Sequence, residues 1–234
     1  GGTLLGTTSS PVFSDLLYRY IEIKFLISDT VGTIDIHVDG HSVLSLSGID
    51  TRNGGLGLAD SLEFIQYTVQ IGRSTYILID DFYLCDTTGA MNNNFLGDCR
   101  VEALFPTSDG AYTSWTPASG INHWAMVDAN PPNLTDYNAS AVVGDKDSYG
   151  YQNLSSPNGV VFGVQLNMMA LKTDAGARSI EGLARSAGVD GFGASQGVST
   201  SMTDVMQIYE HDPNTAAQWL KAAVDAAEFG ARVA

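Results

Sequence analysis

The first hundred residues contain short runs in which apolar and polar residues alternate, which is the period of a β-strand. The alternation is clear in residues 18–27. On one side of this run the residues are apolar: Ile21, Ile23, Phe25 and Ile27. A strand of an antiparallel sheet commonly buries one face and leaves the other in water. We therefore expect the apolar face to cover a core.

The next run predicts a hairpin. In residues 33–48, TIDIHVDGHSVLSLSG, the side chains of Ile34, Ile36 and Val38 point to one side and polar residues to the other. Asp39-Gly40 supplies the positive φ angles of a tight turn between two strands. Residues 61–71 and 75–85 predict two further strands. Regular short strands separated by turn residues indicate an antiparallel β-sandwich.

The composition changes after Arg100, where prolines occur among many Ser, Asn and Gly residues. We place a domain boundary near residues 100–105, which divides the chain into regions 1–102 and 103–234. The second region predicts a further β-sandwich-like domain. Its predicted strands cover residues 159–172, 179–186, 205–212 and 228–233.

Residues 159–172 are long and mostly apolar, which favours a central strand buried on both faces. The alternative is an interface strand that packs Met168 and Met169 against a neighbouring subunit. One short helix is predicted at about residues 214–227, where Pro213 lies near the first turn and Asp212 or Asn214 can cap it. An apolar stripe supports that helix: Trp219, Leu220, Ala223, Val224 and Ala227.

The net charge of the chain argues against some classes of binding partner. The 234 residues carry a formal net charge of −15, although only 16% of them are charged. This acidity argues against nucleic-acid binding, which needs a basic surface, and against docking on anionic lipid. No apolar run approaches the roughly 20 residues of a membrane span. We therefore expect neither a nucleic acid nor a membrane as a partner.

Several segments, in order, carry a resemblance to a known family. They include YRYIEIKFLISDTVGTIDIHVDGHSVLSLSGIDTRN, YILIDDFYLCDTTGAMNNNFLGDCRVEALFPTSDGAYTSWTPASG, GDKDSYGY, GVVFGVQLNMMALKTDAGARS and DPNTAAQWLKAAVDAAEFGARV. Together they cover nearly all of the chain and resemble structural proteins of tailed-bacteriophage virions. In that family a concanavalin-like (laminin-G-like) jelly roll precedes a second β-rich region.

The resemblance implies a fold, a location and partners. Region 1–102 would be the C-terminal half of the jelly roll, and the start of the chain without Met, on GGTLLG, agrees with a first half that is missing. The chain would be a non-enzymatic virion protein on the particle surface, in the tail, a fibre or a capsid decoration. Its partners would be other virion proteins, further copies of itself and, in host adhesion, the host surface.

The segment between residues 80 and 99 is rich in oxygen ligands. Hard cations such as Ca²⁺ bind six to eight oxygens of carboxylates, amides and carbonyls. The candidates for a calcium site are Asp80, Asp81, Asp86, Asn92 and Asp98. Their spacing matches no compact calcium loop. A strand–loop–strand connection in which these side chains cap turns is therefore favoured, and no other cofactor is expected.

An aromatic-rich stretch supplies the other binding hypothesis. Aromatic rings beside Asp and Asn can stack on a sugar and hydrogen-bond to it. The candidates for this contact are Tyr112, Trp115, His123 and Trp124. The alternative function is accordingly a carbohydrate-binding adhesion module for a host glycan. The competing interpretation makes both tryptophans core anchors, since Trp is mostly buried.

Catalytic and redox interpretations have little support. The nearest approach to a glycosidase cluster is Asp35, His37 and Asp39, which would lie on the solvated face of a strand. Cys85 and Cys99 lack the C-x-x-C spacing of a redox pair. Free thiols are favoured over a disulfide between them.

Overall fold

The structure is a computed structural model that describes residues 4–9, 12, 17–52, 54–55, 57, 62–64, 77–156 and 159–234. The chain divides into two compact units, Gly1–Val101 and Glu102–Ala234. The fold is mainly β, with several antiparallel sheets and one short α-helix, as predicted, and is consistent with the β-sandwich class.

Unit 1 contains a three-stranded antiparallel sheet in the order β1-β2-β3. Its strands are β1 (Ile21–Leu26), β2 (Gly32–Val38) and β3 (His41–Ile49). Asp39 and Gly40 connect β2 to β3 with φ angles of 50° and 76°. Both residues adopt the left-handed conformation of a two-residue hairpin turn, which confirms the hairpin.

The predicted apolar face of β1 is exposed, and Glu22 is the one buried residue of the strand. Glu22 is 6% exposed, whereas Ile21, Ile23 and Phe25 are 43%, 59% and 52% exposed. The expectation that the apolar side covers a core is therefore wrong for β1. The segment that contains Leu96 bonds to the Glu22 carboxylate and covers this residue on the other side of the strand, whereas no described layer covers the apolar side.

The two further strands predicted in unit 1 are not seen. Most of residues 61–71 lie outside the described residues, and residues 77–85 form no strand. Asp81 has a φ of 52°, which a β-strand does not permit. Its backbone N–H bonds to the side chain of Asp80 instead of to a neighbouring strand. A hydrogen bond to a neighbouring side chain thus takes the place of a hydrogen bond between strands.

Unit 2 is built on a six-stranded antiparallel sheet. Its strands are β4 (Pro106–Thr113), β7 (Lys146–Tyr151), β10 (Ser179–Ser186), β11 (Val189–Phe192), β12 (Gln196–Gly197) and β15 (Glu228–Val233). The order is β11-β10-β15-β7-β4, and β12 also pairs with β10. The bounds of β10 and β15 agree with the predicted residues 179–186 and 228–233.

Smaller pairs of strands complete unit 2. These are β5 (Thr116–Pro117) with β6 (Asn138–Ala139), β8 (Val160–Val161) with β14 (Trp219–Leu220), and β9 (Val164–Ala170) with β13 (Thr203–Tyr209). One face of the large sheet packs on the β9–β13 ribbon. Ala184 and Phe229 from the sheet meet Leu166 and Tyr209 from the ribbon in one core cluster.

Residues 159–172 form two strands, β8 and β9, and not one central strand buried on both faces. Burial alternates along β9: Leu166 is buried, Met168 packs against the core, and Met169 is 45% exposed. The prediction of two buried faces is wrong because β9 belongs to a two-stranded ribbon with only one face on the core.

The C-terminal helix is shorter than predicted. Helix α1 (Lys221–Ala226) begins only after β14, and Leu220, not Asp212 or Asn214, occupies its N-cap position. Trp219 is fully buried in the core, and its Nε1 donates to the Tyr209 carbonyl at 3.0 Å. This anchor holds Trp219–Leu220 as strand β14 directly before the helix. Within the described residues, no helix has the length and apolar character to cross a membrane.

Candidate functional site

Asp147 is the centre of a buried polar cluster in unit 2. It lies on β7 and is 0% exposed. Its Oδ1 accepts a hydrogen bond from the Trp115 backbone N–H at 2.8 Å, and its Oδ2 lies 2.7 Å from Nδ1 of His123. The Tyr149 hydroxyl donates to the same Oδ2 at 3.3 Å. A buried carboxylate is stable only with such partners.

His123 is 8% exposed and directly precedes a short 3-10 helix, Trp124–Met126. The Trp124 backbone N–H donates to Oδ1 of Asp109 on β4 at 2.7 Å, which fixes this helix beside the sheet. His123 and Asp147 thus form a hydrogen-bonded pair of the kind that orients a histidine. Within the described residues no nucleophilic side chain contacts the His123 ring.

Asn138 connects the His123 loop to Tyr149. Its Nδ2 donates to the His123 carbonyl and to the Tyr149 hydroxyl, each at 2.9 Å, while its buried Oδ1 has no hydrogen-bond partner among the described residues. Burial, with the nearby charge of Asp147, raises the pKa of Tyr149. The Tyr149 hydroxyl therefore stays protonated and available as a donor at neutral pH.

A second cluster of polar and aromatic groups lies on the other face of the same sheet. Asp190 on β11 accepts hydrogen bonds from Lys146 at 2.8 Å, from Arg185 at 2.6 Å and from the Tyr112 hydroxyl at 2.9 Å. Burial alone would raise the pKa of Asp190, but these bonds outweigh it and lower that pKa. The bond to Asp190 raises the pKa of Lys146 in return.

Cations cover the aromatic rings of this cluster. Lys146 Nζ lies 4.3 Å from the Tyr112 ring centre, and the Arg232 guanidinium lies 3.6 Å from that of Phe192. Arg232 also donates to Glu181 through Nε at 2.8 Å. Each charge in the cluster is therefore paired with one of opposite sign, and the rings add cation–π contacts.

The four residues proposed for sugar contact fall into different environments. Tyr112 belongs to the ionic cluster, and His123 is buried on Asp147. Trp115 packs against a core cluster with Ile180 and Val205, and its Nε1 donates to the Asp145 carbonyl at 3.2 Å. Trp124 is half-buried in the 3-10 helix. A glycan site at these four residues stays a prediction.

Three of the four carboxylates proposed as calcium ligands, those of Asp80, Asp81 and Asp86, accept hydrogen bonds from backbone N–H or hydroxyl groups. Asp81 Oδ1 accepts from the Val101 N–H at 2.7 Å, and Asp86 Oδ1 accepts from the Thr88 N–H and hydroxyl. Asn92 adopts a φ of 54°, as a turn residue does, and Asp98 is exposed. No group of three or more His, Cys, Asp or Glu side chains is placed to share a metal among the residues described here.

Glu22 holds the calcium-candidate segment against β1. Its Oε1 accepts hydrogen bonds from the Leu96 and Gly97 N–H groups at 2.8 and 3.1 Å and from the Tyr83 hydroxyl. Burial alone would raise the pKa of Glu22, but hydrogen bonds from tyrosine hydroxyls and these amides outweigh it and lower that pKa. On the same face of the sheet, Phe95 stacks on His37 at a ring distance of 4.0 Å.

The remaining candidates have structural partners. Asp39 pairs with Arg19, and Asp35 accepts a hydrogen bond from Ser42. No disulfide joins Cys85 and Cys99 in the described part of the chain, as expected. Burial raises the pKa of Cys99, and the negative charge of nearby Glu22 adds to the effect, so this thiol is poorly ionised at neutral pH.

Sequence reasoning missed Asp147 and Glu22 as the centres of their clusters. Each sits in an alternating strand pattern that looks like an ordinary solvated face. The signal available was a carboxylate near a lysine on a strand, Glu22 near Lys24 and Asp147 next to Lys146, which does not identify its partners. The Asp147 partners come from residues 115 and 123, and those of Glu22 from residues 83–97.

Comparison with known proteins gives no relative. No family model matches the chain, and no similar protein was found among curated sequences or solved structures.

Proposed function

We propose that the chain is a non-enzymatic structural protein of a tailed-bacteriophage virion. It would lie on the particle surface, in the tail, a fibre or a capsid decoration, and build that appendage through contacts with other copies and other virion proteins. The resemblance of its segments to that family motivates the proposal. An exposed apolar patch on unit 2 supports the assembly role.

The patch lies on the outer face of the β9–β13 ribbon. Met206 and Ile208 are neighbours on the same side of β13 and are 53% and 52% exposed. Met169 lies diagonally across from Met206, because its direct partner in the register is Asp204. Contiguous exposed apolar side chains of this kind mark interaction surfaces. Methionine is well suited to such a surface because its side chain adapts to the partner.

Unit 1 offers a second apolar surface of the same kind. Ile21, Ile23 and Phe25 lie opposite Val38, Ile36 and Ile34 in the sheet register and are about half exposed. A jelly roll packs such a face against a second sheet. This exposed face therefore supports assembly with another polypeptide layer.

Immunogold labelling of intact particles from the source tests the proposal. An antibody raised against the folded chain is expected to label either the tail or the capsid. The controls are preimmune serum and antibody that has been absorbed with the purified chain before labelling. Particles without label would contradict the virion role, provided that the antibody binds the native chain in solution.

The position of the label on the particle distinguishes capsid decoration from host adhesion. Label over the capsid indicates a decoration protein. Label at the tail tip favours adhesion, in which the chain would bind a host surface glycan. Among the four proposed contact residues, Trp124 is the first to replace in a test of glycan binding, because its indole is half-buried and is not part of the ionic cluster.

A further inference from the structure

A cleft of about 550 Å³ opens in unit 2 between the end of β10, the turn after β13 and the outer side of α1. The turn is closed by backbone bonds: the Asp212 carbonyl accepts from Ala216 N–H at 2.8 Å, and the Asp212 N–H donates to Ala217 at 2.9 Å. Gly191 permits the turn to pack closely, since a Cβ there would lie 2.9 Å from Pro213 Cβ. The cleft is thus built by packed elements and not by a loose loop.

Two buried polar side chains line this cleft. Ser186 is 3% exposed and Asp212 is 4% exposed. The Ser186 hydroxyl makes no hydrogen bond to any described residue. Asp212 Oδ1 accepts from the Asn214 N–H at 2.9 Å, while Oδ2 accepts no hydrogen bond from the described part of the chain. Neither oxygen is among the fully enclosed atoms without a partner in the described residues, so both open to the cleft, where a ligand can reach them.

The charge of the cleft determines which ligand fits. Asp212 makes no ion pair with a described Lys, Arg or His, and the lining contains no basic residue. A carboxylate in a cleft without a basic neighbour gains most from a cation with N–H donors, because such hydrogen bonds are charge-assisted. An anionic ligand would be repelled. The rest of the lining is largely small and apolar: Ala187, Ala217, Leu220, Ala223 and Ala226.

We propose that this cleft binds a primary alkylammonium group, either of a free amine or of a lysine side chain. The ammonium donates to Asp212 Oδ2 and to the Ser186 hydroxyl, and the methylene chain lies along the alanine-lined wall. No aromatic side chain lines the cleft, so a sugar would lack a stacking surface. The site is separate from the apolar patch on the outer ribbon face and does not depend on the virion role.

Titration of the ¹⁵N-labelled chain with n-butylammonium chloride, at constant ionic strength, tests the proposal. Saturable shifts are expected at the amides of Asn214, Thr215 and Ala217, with a dissociation constant on the order of 1 mM. n-Butanol, which has the same chain without the charge, is expected to bind at least about tenfold more weakly because it lacks the charge-assisted bond. Equal binding of both probes would overturn the proposal.

Matched variants locate the site. Asp212→Asn retains an oxygen for the Asn214 N–H and removes the charge, so binding should weaken about tenfold or more while the spectrum stays folded. Ala226→Leu places a larger side chain in the cleft and should weaken binding similarly without touching the carboxylate. Asp204→Asn, on the exposed outer face of β13, is the control and should bind as the unsubstituted chain does. Unchanged binding in either cleft variant overturns the proposal.

A second probe distinguishes the two sources of the ammonium. Nα-acetyl-lysine amide carries the lysine side chain on a backbone-like group. Binding as tight as that of n-butylammonium would support a lysine side chain of a partner. Binding of n-butylammonium alone would support a free amine. If neither probe shifts the cleft amides of the folded chain, the cleft is not an ammonium site.

Discussion

Asp147 shows how one buried carboxylate organises residues that are distant in sequence. It accepts hydrogen bonds from the Trp115 backbone, the His123 ring and the Tyr149 hydroxyl, while it is itself inaccessible to water. Removal of the carboxylate leaves three donors without an acceptor inside the protein. Such donors are costly because they were desolvated on folding.

Asp147→Ala should therefore lower the free energy of unfolding by about 3–5 kcal/mol. Urea denaturation followed by tryptophan fluorescence measures the change. Asp204→Ala, at an exposed position on β13, should stay within about 0.5 kcal/mol of the unsubstituted chain. A loss below about 1 kcal/mol for the Asp147 variant would mean that the cluster contributes little to stability.

Glu22 makes a pH-dependent contribution to unit 1. Its pKa is lowered in the folded state, so the folded chain holds this proton less tightly than the unfolded chain does. The stabilisation is thus fully present above the ordinary value of 4.5 and is lost as the pH falls through the lower folded pKa. Acid should release the segment held by the Leu96 and Gly97 amides.

Glu22→Gln should cost about 1.5–3 kcal/mol at pH 7, because the amide lacks charge-assisted hydrogen bonds. The difference between variant and parent should shrink below pH 4. Denaturation curves from pH 3 to pH 7 measure both effects, and the exposed Glu63→Gln is the control. A cost that does not depend on pH would show that the charge of Glu22 is not the stabilising feature.

Among the elements, the hairpin and the strands β10 and β15 could be predicted because local signals determine them. Asp39-Gly40 encodes the turn, and the alternation in residues 179–186 and 228–233 has the strand period. The burial of Glu22 on β1 could not be predicted, since the segment that covers it comes some seventy residues later. Local pattern specifies a strand, but only tertiary packing specifies which side is covered.

The C-terminal helix illustrates the same limit. The helix predicted at residues 214–227 rests on an apolar stripe that starts at Trp219. Yet Trp219 is fixed in the core as part of β14, and Ala216 adopts a φ of 52°. For a residue with a Cβ, the left-handed conformation costs about 1 kcal/mol or more. The packing of Trp219 outweighs that cost, and the helix begins only at Lys221.

Because of this strain, an alanine-to-glycine substitution should change the free energy of unfolding in opposite directions at residue 216 and inside α1. Ala216→Gly should raise the free energy of unfolding by about 0.5–1 kcal/mol, because glycine adopts positive φ without a steric penalty. Ala222→Gly, inside α1, should lower it by about the same amount. Urea denaturation of both variants measures the pair. A loss of stability in both would mean that the backbone at residue 216 is not strained.

At the scale of the whole molecule, net charge and apolar surface oppose each other. A net charge of −15 makes like molecules repel, whereas the patch of Met169, Met206 and Ile208 favours contact between copies. Salt screens the repulsion, with a Debye length of about 10 Å at 0.1 M and about 3 Å at 1 M, but it does not weaken apolar contact. The balance should therefore shift towards association as salt increases.

Sedimentation velocity should accordingly detect a larger species as sodium chloride is raised from about 0.05 to 1 M, because the Debye length shortens over this range and the charge repulsion is screened. Met206→Gln combined with Ile208→Thr should abolish that species, since both substitutions retain strand-compatible side chains and remove the apolar surface. The matched control is Gln165→Thr on the same outer face, where the side chain is polar already. Association that persists in the double variant would assign the contact to another surface, such as the exposed side of β1. A chain that stays monomeric at every salt concentration would show that the patch does not join copies of this chain, and its partner would then have to be a different protein.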